Sequence, residues 1–230
     1  MVKKKTFRKS FIKTWKVLNL YAGIGGNRKL WNNVDVTAVE ISPKIAKIYE
    51  DFFPDDEIIV TDAHKFLLEH FKDFDFIWSS PPCPTHSRIR KHCAWKDRGN
   101  GVKELQNKPI FPDMKLYEEI IFLQYYFDGF FVVENVQPYY EYLIKPSIIL
   151  DRHPIWANFT IPSKKFINER RHNKIVTRKK NQTVYGFNIA KYNLEKEWIL
   201  LRNCVNPKLG KHILDCARKK PQKTLEEMIK

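Results

Sequence analysis

The chain has 230 residues, 43% hydrophobic and 14% aromatic, which suits one domain with a real core, or one domain plus a small appendage. Lysine and arginine number 41 against 26 acidic residues, a formal charge of +15. That balance calls for an anionic partner, nucleic acid first, although a lysine-rich surface alone would give the same sum. No apolar run approaches the roughly 18 residues of a membrane span, and no apolar segment follows the basic N-terminus as a secretory signal requires. The four cysteines, Cys83, Cys93, Cys204 and Cys216, form no CxxC pair and lack zinc-ligand spacing. Free thiols, no metal and an intracellular setting are therefore expected, whether the cytoplasm of a prokaryotic or virus-infected cell or its nucleoid.

Residues 1–14 carry Lys3, Lys4, Lys5, Arg8, Lys9 and Lys13 and read as a basic arm, with 15–230 as a single domain. Val17 to Leu20 reads as a strand that stops at a glycine-rich turn, and a helical stretch is expected to follow it through Trp31. Val34 to Val39 is a second strand. Ser42 then caps a helix that has Pro43 at its first position and runs to about Phe52. Ile58 to Val60 is a third strand, Ala63 to His70 a helix, and Phe74 to Trp78 a fourth strand. Residues 84–112 carry loop signals and many charges. Met114 to Phe127 is helical and Phe130 to Val133 a fifth strand. Beyond 150 the signals weaken: Phe159 to Ile161 and Lys174 to Thr177 read as strands and Pro207 to Lys219 as a helix. This alternation predicts an α/β fold, a Rossmann-like, doubly wound and mostly parallel sheet that binds its ligands beyond the strand carboxyl ends.

The residues at those ends carry the chemistry. Tyr21, Ala22, Gly23, Ile24, Gly25 and Gly26 follow the first strand, where glycines let the backbone approach a ligand. Glu40 ends the second strand, in place to accept from two ribose hydroxyls, and Asp62 ends the third, in place to accept from an adenine amino group. Together they outline a nucleoside pocket, and their spacing does not separate a dinucleotide from S-adenosylmethionine. Ser79, Ser80, Pro81, Pro82 and Cys83 follow the fourth strand, so a stiffened thiol stands ready to attack an electrophilic carbon. Arg88, Arg90, Lys91 and His92 are near enough in sequence to favour its thiolate. Glu134 ends the fifth strand, followed by Asn135 and Val136, and a buried carboxyl there could share a proton with a ring nitrogen.

This ordered set resembles the C5-cytosine methyltransferases. The glycine turn resembles the family's first motif, and Glu40 and Asp62 fall on its ribose- and adenine-binding acids, with Ile41 and Ala63 beside them. Pro81, Pro82 and Cys83, with Ser87, resemble the nucleophile motif, and Glu134, Asn135 and Val136 the Glu-Asn-Val motif. Arg202 to Pro207, with Asn203 and Val205 toward the cofactor, resemble the last motif, which folds back on the pocket. Pro84 replaces a common glutamine and Asn19 a frequent aspartate. Residues 168–172 match the arginine motif only in part: Arg170 fits its first arginine, and His172 takes the place of the second. Only a short stretch separates Val176 from Arg202, so a full target-recognition domain is absent.

The resemblance implies the S-adenosylmethionine-dependent methyltransferase fold, S-adenosylmethionine as cofactor and cytosine C5 of DNA as target. Cys83 would add to C6, with Glu134 at N3, Asn135 ordering that strand end and Arg170 at the base carbonyl. The target base must be flipped out or already unpaired. Ser87, Arg88, Arg90, Lys91 and Arg98 would contact phosphates, and the short gap implies low or short sequence specificity unless a separate subunit supplies recognition. RNA, such as a tRNA loop, is the alternative substrate. Amino-group methylation at cytosine N4 or adenine N6 and a non-catalytic nucleic-acid-binding protein on the same fold are the competing readings.

Overall fold

The computed structural model describes residues 13–88, 95–97, 103–105, 111–166, 183–192, 194 and 197–219. Its main sheet contains β1 (Trp15–Leu20), β2 (Val34–Val39), β3 (Glu57–Ile59), β4 (Phe76–Ser79), β7 (Phe130–Glu134), β8 (Ile148–Leu150) and β9 (His153–Ala157). The order is β3-β2-β1-β4-β7-β9-β8. The first five are parallel and β9 runs antiparallel to β7 and β8. From β1 the chain builds outward to β2 and β3, then crosses to β4 on the other side of β1. The sheet order therefore reverses between β1 and β4, and a crevice opens outside their carboxyl ends.

Side chains alternate across the sheet, as the pleat demands. Val17, Phe76, Trp78 and Val132 enter one core with Trp31, Leu209, Ile213 and Leu214. Leu18, Leu20, Ile77, Phe131 and Val133 enter the other, against Leu67 of α2 (Ala63–His70) and Leu116, Ile120 and Leu123 of α3 (Lys115–Tyr126). The helix covering the first face is α5 (Pro207–Arg218), preceded by α4 (Glu197–Asn203).

That arrangement corrects one expectation. The stretch after the glycine turn forms a single 3-10 turn, Arg28–Leu30, because Asn33 already takes a left-handed φ of 53° and β2 begins at Val34. The face such a helix would cover belongs to α5, whose Gly210 comes so close that a Cβ would lie 2.2 Å from the Asn27 carbonyl oxygen. Ser42 does stand at the N-cap of α1 (Pro43–Phe52) with Pro43 following, but its side chain makes no capping bond. Residues 159–161 lie outside any strand: Phe159 and Ile161 are buried against the first core by packing alone. The charged loop contains a short antiparallel pair, β5 (Trp95–Asp97) with β6 (Lys103–Leu105), and a second such pair, β10 (Thr183–Val184) with β11 (Phe187–Asn188), precedes α4. The basic arm through residue 12 and the strand expected at 174–177 lie outside the described residues. Among the described residues no helix is long and apolar enough to cross a membrane, and no three His, Cys, Asp or Glu side chains gather as a metal site would need.

Candidate active site

The crevice begins at Tyr21, whose φ of 55° is strained for a side-chain-bearing residue. Gly23 and Gly25 follow at 55° and 80°. The glycines have separate duties. A Cβ on Gly23 would meet nothing within 4 Å, so its backbone faces open space in the crevice. A Cβ on Gly25 would strike the Phe53 ring at 2.2 Å, and one on Gly26 would strike Cys204 Sγ at 2.4 Å and the Val205 oxygen at 2.5 Å. The segment at 204–205 thus closes against the glycine turn, which Ala22 and Ile24 complete as buried residues.

Glu40 is only 8% exposed. Its two oxygens accept the Gly23 and Ser42 amides at 3.0 and 2.9 Å, so the acid both braces the turn and borders the crevice. Beside it Ile41 leaves 68% of its surface uncovered, an apolar surface at the strand end. Asp62 caps α2 by accepting the Lys65 amide at 3.0 Å and has Lys115 Nζ at 3.6 Å. The amide and that cation hold its carboxyl below the usual range despite some burial. Ala63 is buried at the start of α2.

Cys83 follows β4 through buried Pro81 and exposed Pro82. Its carbonyl accepts the amides of His86 and Ser87 at 3.0 and 3.1 Å, which fixes the turn. The turn is also pinned to the segment after β7. Tyr139 N–H donates to the His86 carbonyl at 3.0 Å, Arg88 N–H to the Gln137 carbonyl at 3.3 Å, and Ser87 bridges Pro138. Asn135 Nδ2 donates to the Pro81 carbonyl at 2.9 Å, and Ser80 Oγ donates to Glu134 Oε2 at 3.0 Å. The strand ends that carry Cys83 and Glu134 are therefore one braced unit. Burial pushes the Cys83 thiol up and the Glu134 charge pushes it further, while Arg202 opposes them.

Arg88, the described member of the basic set expected beside Cys83, directs its guanidinium to Gln137 Oε1 at 2.7 Å, and among the described residues Arg202 of α4 lowers the thiol. Arg90, Lys91, His92, Arg98 and Arg170 lie outside the described residues. Asn203 is exposed at the end of α4, and Val205 meets Gly26 through its backbone.

Three groups escaped the sequence reading. Glu119, wholly buried on α3, accepts from Tyr21 Oη at 2.6 Å and Ser79 Oγ at 2.5 Å and pairs with His64 Nδ1 at 3.1 Å. It ties the glycine turn, α2 and the β4 end to one carboxylate, and its place in the apolar stripe Leu116, Ile120 and Leu123 was the available signal. His153 on β9 contacts Glu134 Oε1 through Nδ1. His86, 1% exposed, contacts Tyr140 Oη through Nδ1 at 2.5 Å, and its burial lowers its pKa.

The family model for C-5 cytosine-specific DNA methylase matches residues 15–138, just over half of the chain. No curated protein sequence matches it. Several solved structures are similar to parts of the chain at low identity. A triple mutant of DNMT2 from Spodoptera frugiperda is 24% identical over 53% of this chain and 35% of its own, with a TM-score of 0.34. The PH0226 protein from Pyrococcus horikoshii is 20% identical over 56% and 52%, with a TM-score of 0.36. A SAM-dependent methyltransferase from Agrobacterium tumefaciens is 16% identical over 58% and 41%, with a TM-score of 0.35. The chain thus spans about a third to a half of the length of these proteins.

Proposed function

Because the chain belongs to the C-5 cytosine-specific DNA methylase family, we propose that it methylates cytosine C5 in DNA through a covalent bond between Cys83 and C6. Its cofactor is S-adenosylmethionine, which supplies an electrophilic methyl group on sulfur. The crevice suits that molecule. The bare Gly23 backbone leaves room for its amino-acid end, Glu40 has further lone pairs for ribose hydroxyls, and Ile41 and Asp62 offer an apolar surface and an acceptor to adenine. Tyr21, Gly25, Gly26, Ala63, Asn203 and Val205 shape its walls.

Cytosine C5 is a poor nucleophile. Addition of the Cys83 thiolate to C6 pushes the C5–C6 π pair toward C4 and N3 and makes C5 an enamine carbon able to take a methyl group. Glu134 handles the proton at N3 as that charge develops, and Asn135 holds its strand end against the nucleophile turn. Loss of the C5 proton and release of the thiol complete the cycle. A base stacked in duplex cannot present C6 to Cys83, so the target must leave the stack. The observation that carries this reading is the bracing of the β4 and β7 ends, through Asn135 to Pro81 and Ser80 to Glu134, beside the Glu40 cradle.

Duplex DNA containing 5-fluorocytosine tests it, because fluorine cannot leave as the proton does and the adduct persists. With S-adenosylmethionine, the wild type should form a protein–DNA species stable on a denaturing gel, and Cys83→Ala should form none. Equal trapping by Cys83→Ala would refute the nucleophile. Trapping on fluorinated tRNA but not DNA would move the substrate to RNA.

A further inference from the structure

We propose that His153 completes the acid at this centre: it shares a proton with Glu134 and supplies it, through Glu134, to N3 of the cytosine as Cys83 adds to C6. The inference rests on the cytosine reading above and deepens it.

The geometry is local to two neighbouring strands. β7 and β9 are antiparallel, with Glu134 opposite Ile155, so His153 lies on the diagonal and shares the face of Glu134. Its Nδ1 meets Glu134 Oε1, while Ser80 Oγ, which itself accepts from Trp78 Nε1 at 2.8 Å, occupies Oε2. Glu134 is 6% exposed, whereas the His153 side chain keeps 30% of its surface.

Charge balance supplies the reason for a base at this position. Burial pushes the Cys83 thiol up first, and a thiolate there and a carboxylate at Glu134 would also repel one another in a poorly solvated site. The charged groups around the pair are few among the described residues. Asp151 and Arg152 flank His153 in its own turn with opposite effects, and the Arg202 charge lowers the Cys83 thiol. Burial pushes the His153 imidazolium down, but Glu134 and Asp151 together outweigh that and Arg152, so it holds its proton more firmly than a free imidazole.

The step then balances. The sulfur lone pair forms S–C6, the ring π pair moves toward N3, and one proton leaves Nδ1, passes through the Glu134 carboxyl and forms N3–H. Thiolate and imidazolium disappear together, leaving a neutral adduct, a neutral imidazole and the Glu134 carboxylate. When S–C6 breaks, the proton returns by the same path. Nothing is oxidised or consumed.

His153→Asn is the decisive variant, since the Asn amide nitrogen can still donate to Glu134 from nearly the Nδ1 position but carries no exchangeable charge; His153→Gln is a second of the same kind. On unmethylated DNA, wild-type methylation should rise with pH as Cys83 ionises and fall as His153 loses its proton. His153→Asn should be slower by about 10²-fold near neutrality, lack the falling limb, and bind S-adenosylmethionine within about twofold of wild type. By NMR the His153 ring should titrate above a free imidazole in wild type and drop in Glu134→Gln. A His153→Asn rate and pH profile like the wild type's, or a His153 midpoint unmoved by Glu134→Gln, would overturn the proposal. An inactive wild type on DNA and RNA alike would instead defeat the function itself, which separates the two failures.

Discussion

At the scale of single residues, protons decide most of the behaviour. The Cys83 thiol is held above its ordinary range by burial and by Glu134, so the free protein should be a reluctant nucleophile at neutral pH. Alkylation of Cys83 by iodoacetamide, taken as the difference between wild type and Cys83→Ala, should rise with pH and reach half its maximum above the midpoint of a free thiol. A midpoint below that of a free thiol would show that the crevice activates the thiolate without substrate. His64 carries a second pH effect. Its hydrogen bond to Glu119 raises its pKa against some desolvation, so the folded state binds that proton more tightly than the unfolded chain. The resulting stability is complete below the unfolded value of about 6.5 and is lost as pH rises through the folded value. His64→Gln should therefore cost more in urea unfolding at about pH 5.5 than at about pH 9; an equal cost at both would reject the pair. Cys83, Glu134, Glu40 and Asp62 were singled out in sequence because each lies at or within four residues of a strand's carboxyl end. Glu119 and His153 were not singled out: the only mark of the first is its place in an apolar helix stripe, and the second lies on a strand with no periodic signal before it.

At the scale of elements, the β-α alternation through residue 134 was readable because strand lengths, caps and apolar alternation agree. The exceptions at 27–31 and 159–161 share one cause: long-range packing overrode local pattern. The turn after Gly26 does not extend into a helix because α5, nearly two hundred positions later, lies over that face. Gly210 records the contact. Alanine in the middle of a helix normally stabilises by about 0.5–1 kcal/mol over glycine. Here its Cβ would lie 2.2 Å from the Asn27 carbonyl oxygen, a backbone atom that cannot swing aside. Gly210→Ala should therefore destabilise by about 1–3 kcal/mol, seen as a Tm lowered by about 2–4 °C per kcal/mol. An unchanged or raised Tm would mean that α5 does not dock this closely. Gly26→Ala, which would strike Cys204 and the Val205 backbone, should in addition weaken S-adenosylmethionine binding, measured by calorimetry, because the 204–205 segment would be forced off the glycine turn.

At the scale of the whole molecule, a formal charge of +15 predicts charge-driven binding to nucleic acid. Binding to a DNA duplex should weaken steeply as salt rises, with a linear log–log slope that counts displaced counterions; a flat response would contradict charge-driven binding. The short stretch between Val176 and Arg202 leaves little room for a domain that reads sequence, so methylation should be distributed over many sequence contexts. Bisulfite sequencing of a treated plasmid that revealed a single motif of four or more bases would contradict this and point to a separate specificity subunit. The reaction itself is tested most directly by methyl transfer from tritiated S-adenosylmethionine to unmethylated DNA, with wild type and Cys83→Ala side by side and the nucleosides identified by mass spectrometry. The account predicts 5-methylcytosine from the wild type and none from Cys83→Ala. Methylation at an exocyclic amino group, or 5-methylcytosine from both proteins, would contradict it.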